Sequence, residues 1–418
     1  MRRLVGAACM VLGLLSGSCS ALPVVLPGAP GLQTGWIAGN QVTLLFDGPQ
    51  TMQAMEEAIH HAKHSIHLET YIFDQDAIGL RFALLLMERQ RAGVATRIIY
   101  DAVGTLNTPQ AFFEQLRAAG IRLHAFNPIN PLRLDGPWRP NNRDHRKILV
   151  VDGKLAFTGG VNISASYSRS SLFRSKKRTA LANVGWRDTH LRLQGPAVSV
   201  LQAIFLKTWN AHNPGTPSDA GAASDAGLFP TLQPAGNTTV RVLASEPNGQ
   251  AEIYAAYLEA IAAARKSIYI TSAYFVPDAA MLGALLQAAR RGVEVRLILP
   301  GVQEGGGLVF YASQSLFERM LEGGIHIHQM QIAVLHAKTA VIDGKWSTVG
   351  STNLDTRSFL HNSEVNVVMQ GEAFGTTMQA AFAEDLRNSR AVLLNAWKEP
   401  PLKDRMKEWL ASCFGYWL

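Results

Sequence analysis

The sequence is poor in cysteine and in charge, and each scarcity excludes a class of protein. Only three cysteines occur in 418 residues, so a disulfide framework and a cysteine-based zinc site are both excluded. Charged residues make up only 17% of the chain, but 47% of its residues are hydrophobic, which argues against wholesale disorder. A chain of this length can bury one or two substantial cores.

Long apolar runs are also missing, and the run near the N terminus is too short to cross a bilayer comfortably. Two arginines precede a short apolar stretch rich in small residues at 4–15. This pattern predicts an export signal over residues 1–20 rather than a transmembrane helix or a buried helix. Cys19 follows a lipoprotein-like site in which Ser16 replaces the usual Leu, so lipidation and ordinary cleavage nearby both stay open. We expect an exported, membrane-associated protein of the bacterial cell envelope.

Positive charge is in excess. The net charge is +7 and the sequence pI is near 9.4. Such a balance favours polyanionic partners, and nucleic acid and anionic phospholipid surfaces both qualify. Composition alone does not choose between them.

The chain repeats itself. Residues 56–73 match residues 258–275, and each segment has the pattern of an amphipathic helix followed by a strand. In both halves a glycine, Gly93 or Gly292, then suits the end of a helix before the next strand. Alternating helices and strands predict two α/β units, and two related units predict packing about a pseudo-twofold axis. The predicted segments are a signal (1–20), a first domain (39–210), a linker (211–239), a second domain (240–395) and a tail (396–418).

Two copies of the pattern His-x-Lys-x4-Asp, here called cassettes, carry the polar part of the repeat. The predicted catalytic residues are His145, Lys147, Asp152, His336, Lys338 and Asp343. At equal distances after each Asp comes an Asn, Asn162 or Asn353. The apolar run between Lys and Asp predicts a buried strand, so His and Lys point to the same face. A lone His-x-Lys means little, whereas two copies with matching Asp and Asn are a strong signal.

These residue types suit phosphodiester cleavage. Two lysines, with amides from the two asparagines, would neutralise the phosphoryl group, so no metal or cofactor is expected. One imidazole would attack phosphorus to form a phosphohistidine, and the other would protonate the departing alcohol. Histidines that share one cavity should titrate together and give a bell-shaped pH–rate profile.

The cassettes and their flanks resemble the phospholipase D superfamily, and within it the bacterial cardiolipin synthases. The resemblance covers about Gly39 to Leu394, and the stretches that carry it are LETYIF at Leu68, NNRDHRKILVVDG at Asn141, GWRDTHLRLQGP at Gly185 and GSTNLDTRSFLHNSEVNVV at Gly350. It implies two phospholipase D-like α/β/α domains with the active site at their interface. It also implies a histidine that carries the phosphatidyl group and an acidic residue that orients each imidazole.

By position in the family pattern, Asp188 and Glu364 match the orienting carboxylates, and surface ion pairs are the alternative for both. Glu69 falls in a family-like strand and is expected at the substrate. Its second-half match is Thr271, so the two sides are not equivalent. The cassette aspartates are expected to anchor turns rather than to touch substrate.

The resemblance implies synthesis of cardiolipin from phosphatidylglycerol and a second phospholipid, with His145 as nucleophile by family habit alone. Hydrolysis of phospholipids, a nuclease activity and a non-catalytic lipid-binding role are the alternatives. We expect anionic phospholipids and a membrane surface as partners, no nucleic acid, and a monomer with an internal pseudo-dimer. A basic insertion between Ser164 and Asp188 is expected either to contact anionic headgroups or to form a solvated loop.

Overall fold

The fold is known from a computed structural model, which describes residues 35–128, 141–168, 185–212 and 225–397 apart from 248, 250 and 302–306. The predicted signal with Cys19, most of the basic insertion, residues 213–224 of the predicted linker and nearly all of the predicted tail lie outside the described residues. Within the described ranges, twenty strands and eleven α-helices follow one another.

The first half opens with a long strand and then alternates strands with helices. Its strands are β1 (Ile37–Leu45), β2 (Ser65–Thr70), β3 (Ala95–Asp101), β4 (Arg122–Phe126), β5 (Arg143–Asp144), β6 (Ile148–Val151), β7 (Leu155–Gly159), β8 (Trp186–Arg187) and β9 (His190–Gln194). Its helices are α1 (Gly48–His60), α2 (Ala77–Arg91), α3 (Gln110–Ala118) and α4 (Val198–His212), with a 3₁₀ turn at Ala165–Tyr167.

The second half follows the same order. Its strands are β10 (Thr238–Ser245), β11 (Ser267–Ser272), β12 (Phe275–Val276), β13 (Glu294–Pro300), β14 (His326–Met330), β15 (Val334–Leu335), β16 (Lys338–Ile342), β17 (Trp346–Gly350), β18 (Leu354–Asp355), β19 (Asn362–Gln370) and β20 (Ser389–Ala391). A 3₁₀ turn at Asp225–Leu228 precedes it, and its helices are α5 (Glu252–Ala263), α6 (Ala279–Arg290), α7 (Leu308–Gln314), α8 (Phe317–Glu322), α9 (Thr356–Leu360), α10 (Glu372–Arg387) and α11 (Leu394–Trp397).

Matching residues begin and end matching helices in the two halves. Asp76 caps α2 by accepting from the backbone amide of Ile78, and Asp278 caps α6 by accepting from that of Met281. Just beyond these helices, Gly93 and Gly292 have φ values of +89° and +86°, which only glycine adopts at little cost. The predicted helix-ending glycines are therefore confirmed.

One continuous sheet joins the two halves. Its strand order is β20-β14-β13-β11-β16-β17-β19-β10-β1-β9-β7-β6-β2-β3-β4, with β5 paired to β19 off this path. Strands β1 and β10 are antiparallel neighbours in the middle, and Ile37 lies opposite Val240. Apart from the additional edge strand β20, the order of strands outward from this pair is the same on both sides, so the pseudo-twofold axis passes between β1 and β10. This confirms the predicted α/β fold and its pseudo-symmetry.

The strand within each cassette is buried on both faces. Along β6, Leu149 and Val151 pack into the core of the first half, whereas Ile148 and Val150 face a central core. That central core also contains residues of β16, β17 and β19, so it lies between the two halves. Burial on both faces explains the continuous apolar run between Lys and Asp.

Two short parallel pairs cross between the halves next to the cassettes. Strand β5 lies beside the start of β19, with Arg143 opposite Asn362. Strand β8 lies beside β15, with Trp186 opposite Val334. His145 comes directly after β5, and His336 comes directly after β15. A backbone hydrogen bond to the other half therefore fixes the position of each histidine.

Candidate active site

The two cassette histidines line one cavity of about 320 Å³ between the halves. The backbone amide of His145 donates to the carbonyl of Ser363 at 2.9 Å, and that of His336 donates to the carbonyl of Arg187 at 2.8 Å. Both histidines are more than nine-tenths buried. The pseudo-symmetry therefore brings together side chains that are 191 positions apart in the chain.

A carboxylate from the second half holds the ring of His145. Nδ1 of His145 lies 3.0 Å and 3.1 Å from the two carboxylate oxygens of Glu364. Ser351 Oγ donates to the same carboxylate at 2.5 Å, and Asn362 Nδ2 donates at 3.1 Å. Glu364 is completely buried. Burial alone would raise the pKa of Glu364, but His145 and Lys147 hold it below its ordinary value.

A carboxylate from the first half holds the ring of His336. Nδ1 of His336 lies 2.7 Å from Asp188 Oδ2, and the hydroxyl of Tyr167 lies 3.2 Å from the same nitrogen. The backbone amide of Thr189 donates to Asp188 Oδ1 at 2.7 Å. Burial would raise the pKa of Asp188, but His336 and Lys338 lower it. Each predicted orienting carboxylate thus lies beside the histidine of the other half.

This geometry sets the tautomer of both rings. A buried carboxylate accepts from Nδ1–H, which leaves the lone pair on Nε2. Burial, followed by Lys338, lowers the pKa of His336 to about 3. Burial also lowers the pKa of His145, although Glu364 opposes this effect. Both imidazoles are therefore neutral near pH 7, and each has the Nε2 lone pair that a nucleophile or a general base needs.

The cassette lysines lie beside the histidines with a strongly reduced basicity. Lys147 Nζ donates to the carbonyl of His145 at 2.6 Å, and Lys338 Nζ donates to the carbonyl of His336. Burial lowers the pKa of Lys147 to about 7 and that of Lys338 to about 8. Lys147 also lies 5.4 Å from the ring centre of Tyr71, which lines the cavity. The positive charge of the site therefore depends on pH in the neutral range.

The two asparagines also line the cavity, but they differ in their partners. Asn162 accepts from the backbone amide of Ile72 at 3.1 Å and donates to the hydroxyl of Tyr167 at 2.9 Å. The Oδ1 atom of Asn353 is buried and has no hydrogen-bond partner. One asparagine is thus fixed by the protein, whereas the other keeps an unused polar atom at the cavity.

The cassette aspartates lie at the far end of the strand from the histidines. Asp152 accepts from the backbone amides of Lys63, His64 and Ser65, at distances between 2.7 and 3.2 Å. Asp343 likewise accepts from backbone amides of the segment that leads into β11, at distances between 2.7 and 2.9 Å. Both adopt positive φ values near +54°. The structure does not bring these two members of the predicted catalytic set to the cavity wall, and both anchor turns, the role expected of them from the sequence.

Glu69 does not lie at the cavity either. Its side chain is completely buried, and its Oε1 lies 3.8 Å from a guanidinium nitrogen of Arg146. The structure does not bring Glu69, which was expected at the substrate, into the wall of the cavity that the histidines share.

Several residues that were given no role from the sequence lie at the site. Tyr71 lies edge-on to His145, with ring centres 5.1 Å apart, and Trp186 lies 4.9 Å from the ring of His336. Two arginines also line the cavity, Arg143 from the first half and Arg357 from the second. All four residues occur in the family-like stretches quoted for the resemblance, which could have indicated them. The remaining side chains of the cavity wall are Ile72, Tyr274, Val309, Asp355, Ser358 and Asn362.

In the described ranges, no set of three or more His, Cys, Asp or Glu side chains is placed to hold a metal ion. In the same ranges, none of the helices combines the length and the hydropathy that a bilayer crossing needs.

Comparisons with known proteins agree with the geometry. A family model described as "Cardiolipin synthase, PLD-like domain" matches residues 55–172 and 257–386. A cardiolipin synthase of Geobacillus kaustophilus (strain HTA426) is 35% identical over 370 residues, which cover 88% of this chain and 70% of that protein. Cardiolipin synthase 1 of Staphylococcus aureus (strain COL) is 34% identical over 386 residues, which cover 91% of this chain and 74% of that protein.

Among solved structures, the chain is similar to the phosphatidylserine synthase of Haemophilus influenzae Rd KW20. The TM-score is 0.68, and the match covers 90% of this chain and 92% of that one. Sequence identity is 13%, so this likeness concerns the fold alone.

Proposed function

Because this chain belongs to the cardiolipin synthase family of PLD-like proteins, we propose that it makes cardiolipin by moving a phosphatidyl group onto phosphatidylglycerol. One observation carries the proposal. Two neutral imidazoles, each with Nδ1 on a buried carboxylate, line a single cavity. This arrangement supports a double displacement at phosphorus, with one histidine as nucleophile and the other as acid and base.

In the first step, Nε2 of His145 attacks the phosphorus of a donor phospholipid, and the bond from phosphorus to the headgroup oxygen breaks. His336 gives a proton to that oxygen, and the headgroup alcohol leaves. His336 must therefore gain a proton when substrate binds. The anionic phosphate favours this, because it offsets the two lysines that lower the pKa of the ring.

In the second step, a hydroxyl of phosphatidylglycerol loses its proton to His336 and attacks the phosphohistidine. The bond between phosphorus and nitrogen breaks, cardiolipin forms, and both histidines return to their starting state. We assign the amides of Asn162 and Asn353, which line the cavity, to the phosphoryl oxygens. The charges of Lys147 and Lys338, which lie beside the histidines but outside the cavity wall, would neutralise the phosphate. Charge-assisted hydrogen bonds of this kind contribute about 1.5–3 kcal/mol each.

The activity can be tested by mass spectrometry of lipids from a bacterial strain that lacks cardiolipin and expresses this chain. We expect cardiolipin with the wild-type protein and none with H145A or H336A. Purified protein in mixed micelles of phosphatidylglycerol separates transfer from hydrolysis. Phosphatidic acid as the sole product would contradict transfer, because water would then be the acceptor.

The nucleophile can be identified with a donor whose headgroup is p-nitrophenol. This leaving group needs no general acid, so H336A should still form the covalent intermediate but fail to resolve it. Intact-protein mass spectrometry should then find one phosphatidyl group on His145 in H336A and none in H145A. The opposite pattern would exchange the two roles.

We further propose that the chain acts at the membrane of the bacterial envelope as a monomer, after export through residues 1–20. The composition of that segment and the lipid substrates support this location. Metabolic labelling with an alkyne fatty acid separates the two alternatives at Cys19: lipidation predicts a label that C19A loses, and cleavage nearby predicts no label. Light scattering of the purified protein tests the monomer.

A further inference from the structure

A buried cluster of charged residues lies behind His145, and the residues that match it by position in the second half are uncharged. Glu69, Asp144 and Arg146 are each at most 1% exposed. The positions that match them in the second half carry Thr271, Leu335 and Ala337. The steps proposed above use none of the three charged residues, so their burial needs another explanation.

As two ionised groups, Glu69 and Asp144 would be left with unsatisfied oxygens. Both carboxylate oxygens of Glu69 and Oδ2 of Asp144 are buried without a donor. Asp144 Oδ1 accepts from the backbone amide of Arg146 at 3.2 Å. The guanidinium of Arg146 donates to Thr208 Oγ1 at 3.0 Å and to the carbonyl of Ser245 at 2.9 Å, and it comes no closer than 3.8 Å to Glu69. Arg146 therefore does not satisfy these oxygens.

A single proton shared by Glu69 and Asp144 would give these buried oxygens a hydrogen bond. Two carboxylates only accept hydrogen bonds, whereas a carboxylic acid can donate to a carboxylate beside it. We propose that Glu69 is held as a neutral carboxylic acid that donates a hydrogen bond to the carboxylate of Asp144, and that this pair positions the segment carrying His145. In agreement, burial and then Asp144 raise the pKa of Glu69 well above its ordinary value. Burial also raises the pKa of Asp144.

The pair acts on His145 through the two residues beside it in the chain. The backbone amide of Asp144 donates to Asp101 Oδ2 at 2.9 Å, and Nε of Arg146 donates to the carbonyl of Glu364 at 3.3 Å. His145 lies between these two anchors and bonds to the side chain of Glu364. If the pair lost its proton, two buried like charges would repel each other and displace both anchors. We therefore assign Glu69 as a positioning residue of the His145 half-site.

Infrared spectroscopy tests the proton directly and does not depend on the proposed function. At pH 7 the wild-type protein should show the C=O stretch of a buried carboxylic acid that E69Q lacks. E246Q is the matched control, because Glu246 is a carboxylate beside the same Arg146, at 3.4 Å, yet Arg146 and Lys207 lower its pKa against the effect of burial. E246Q should keep the band. A wild-type spectrum that loses no band in E69Q would overturn the proposal.

The pH dependence of folding stability gives a second test with a defined sign. The folded protein keeps a proton on Glu69 that the unfolded chain releases above its ordinary pKa, so stability should fall as pH rises through the interval between the two values. The groups that face this proton are Asp144, Arg146 and Glu246, with Asp101 and Arg143 beyond them. Denaturant titrations should show that E69Q lacks this fall. Equal slopes in wild type and E69Q would contradict a proton held by Glu69.

Kinetics test the positioning role, which rests on the proposed function. A glutamine at position 69 still donates to Asp144, whereas a leucine of similar size does not. We expect kcat of E69L to be at least about tenfold below that of E69Q, as for the loss of one buried hydrogen bond of roughly 1.4 kcal/mol, with KM unchanged within about twofold. Equal kcat values in two folded variants would overturn the positioning role while leaving the infrared result intact.

Discussion

Replacement of Asp188 by Asn should abolish most of the activity, and the structure indicates why. Asp188 Oδ1 accepts from the amide of Thr189, so in the variant this position must remain an oxygen. The amide NH₂ then takes the place of Oδ2, 2.7 Å from Nδ1 of His336. Because that NH₂ donates, it favours the tautomer with the lone pair on Nδ1 and the hydrogen on Nε2. His336 then has no lone pair on the nitrogen that must accept a proton.

The size of the effect follows from two contributions. Loss of the charge-assisted bond to an imidazolium is worth about 1.5–3 kcal/mol, or roughly a 10- to 150-fold decrease in kcat. The wrong tautomer adds to this, and the same change in a Ser-His-Asp triad costs about four orders of magnitude. We therefore expect D188N to lower kcat by about two to four orders of magnitude, with a smaller change in KM.

Initial rates of cardiolipin formation in mixed micelles measure this effect. D278N is the matched control: Asp278 begins α6, and Asn serves equally well at the start of a helix. Thermal unfolding of both variants shows whether they fold. If folded D188N retained kcat within about threefold of the control, the reasoning about the tautomer of His336 would be refuted.

Three further results are expected. G160A should lower kcat by at least about tenfold, because its added Cβ would lie 2.0 Å from Asp188 Oδ1 and displace that carboxylate; initial rates with a thermal-unfolding control measure this. Activity should fall as pH rises through the range of about 7 to 8, because Lys147 and Lys338 then lose their charge; a pH–rate profile without an alkaline fall there would contradict their role. D152A should lower the free energy of unfolding by about 1–3 kcal/mol, since three backbone amides lose their acceptor, while kcat of the folded variant stays within about twofold; denaturant titration and initial rates check both.

The sequence predicts the α/β fold and the pairing of the halves because the repeat is long and carries both apolar and polar positions. It also brings His145 and His336 together, since a pseudo-twofold axis relates equivalent positions. It does not predict that β1 and β10 join both halves into one sheet. Strand pairing between segments about two hundred positions apart leaves no local period to detect.

The site could be predicted at its histidines, lysines and asparagines, but not in the exchange of carboxylates between the two halves. Asp188 and Glu364 were expected to orient imidazoles, yet no spacing indicates that each one serves the opposite half. Strands β5 and β8, which create this exchange, have only two residues each, too few for any pattern. Tyr167 was missed because its matching position in the second half carries Ser358, so the repeat gave no signal.

Because each half supplies the carboxylate that orients the histidine of the other half, the site cannot form while the chain is only partly synthesised. An emerging first half carries His145 without Glu364, and it carries Asp188 without the ring that this carboxylate orients. Neither imidazole acquires its working tautomer until the second half has docked across β1 and β10. The arrangement that the proposed activity requires is therefore complete only when both halves have folded against each other.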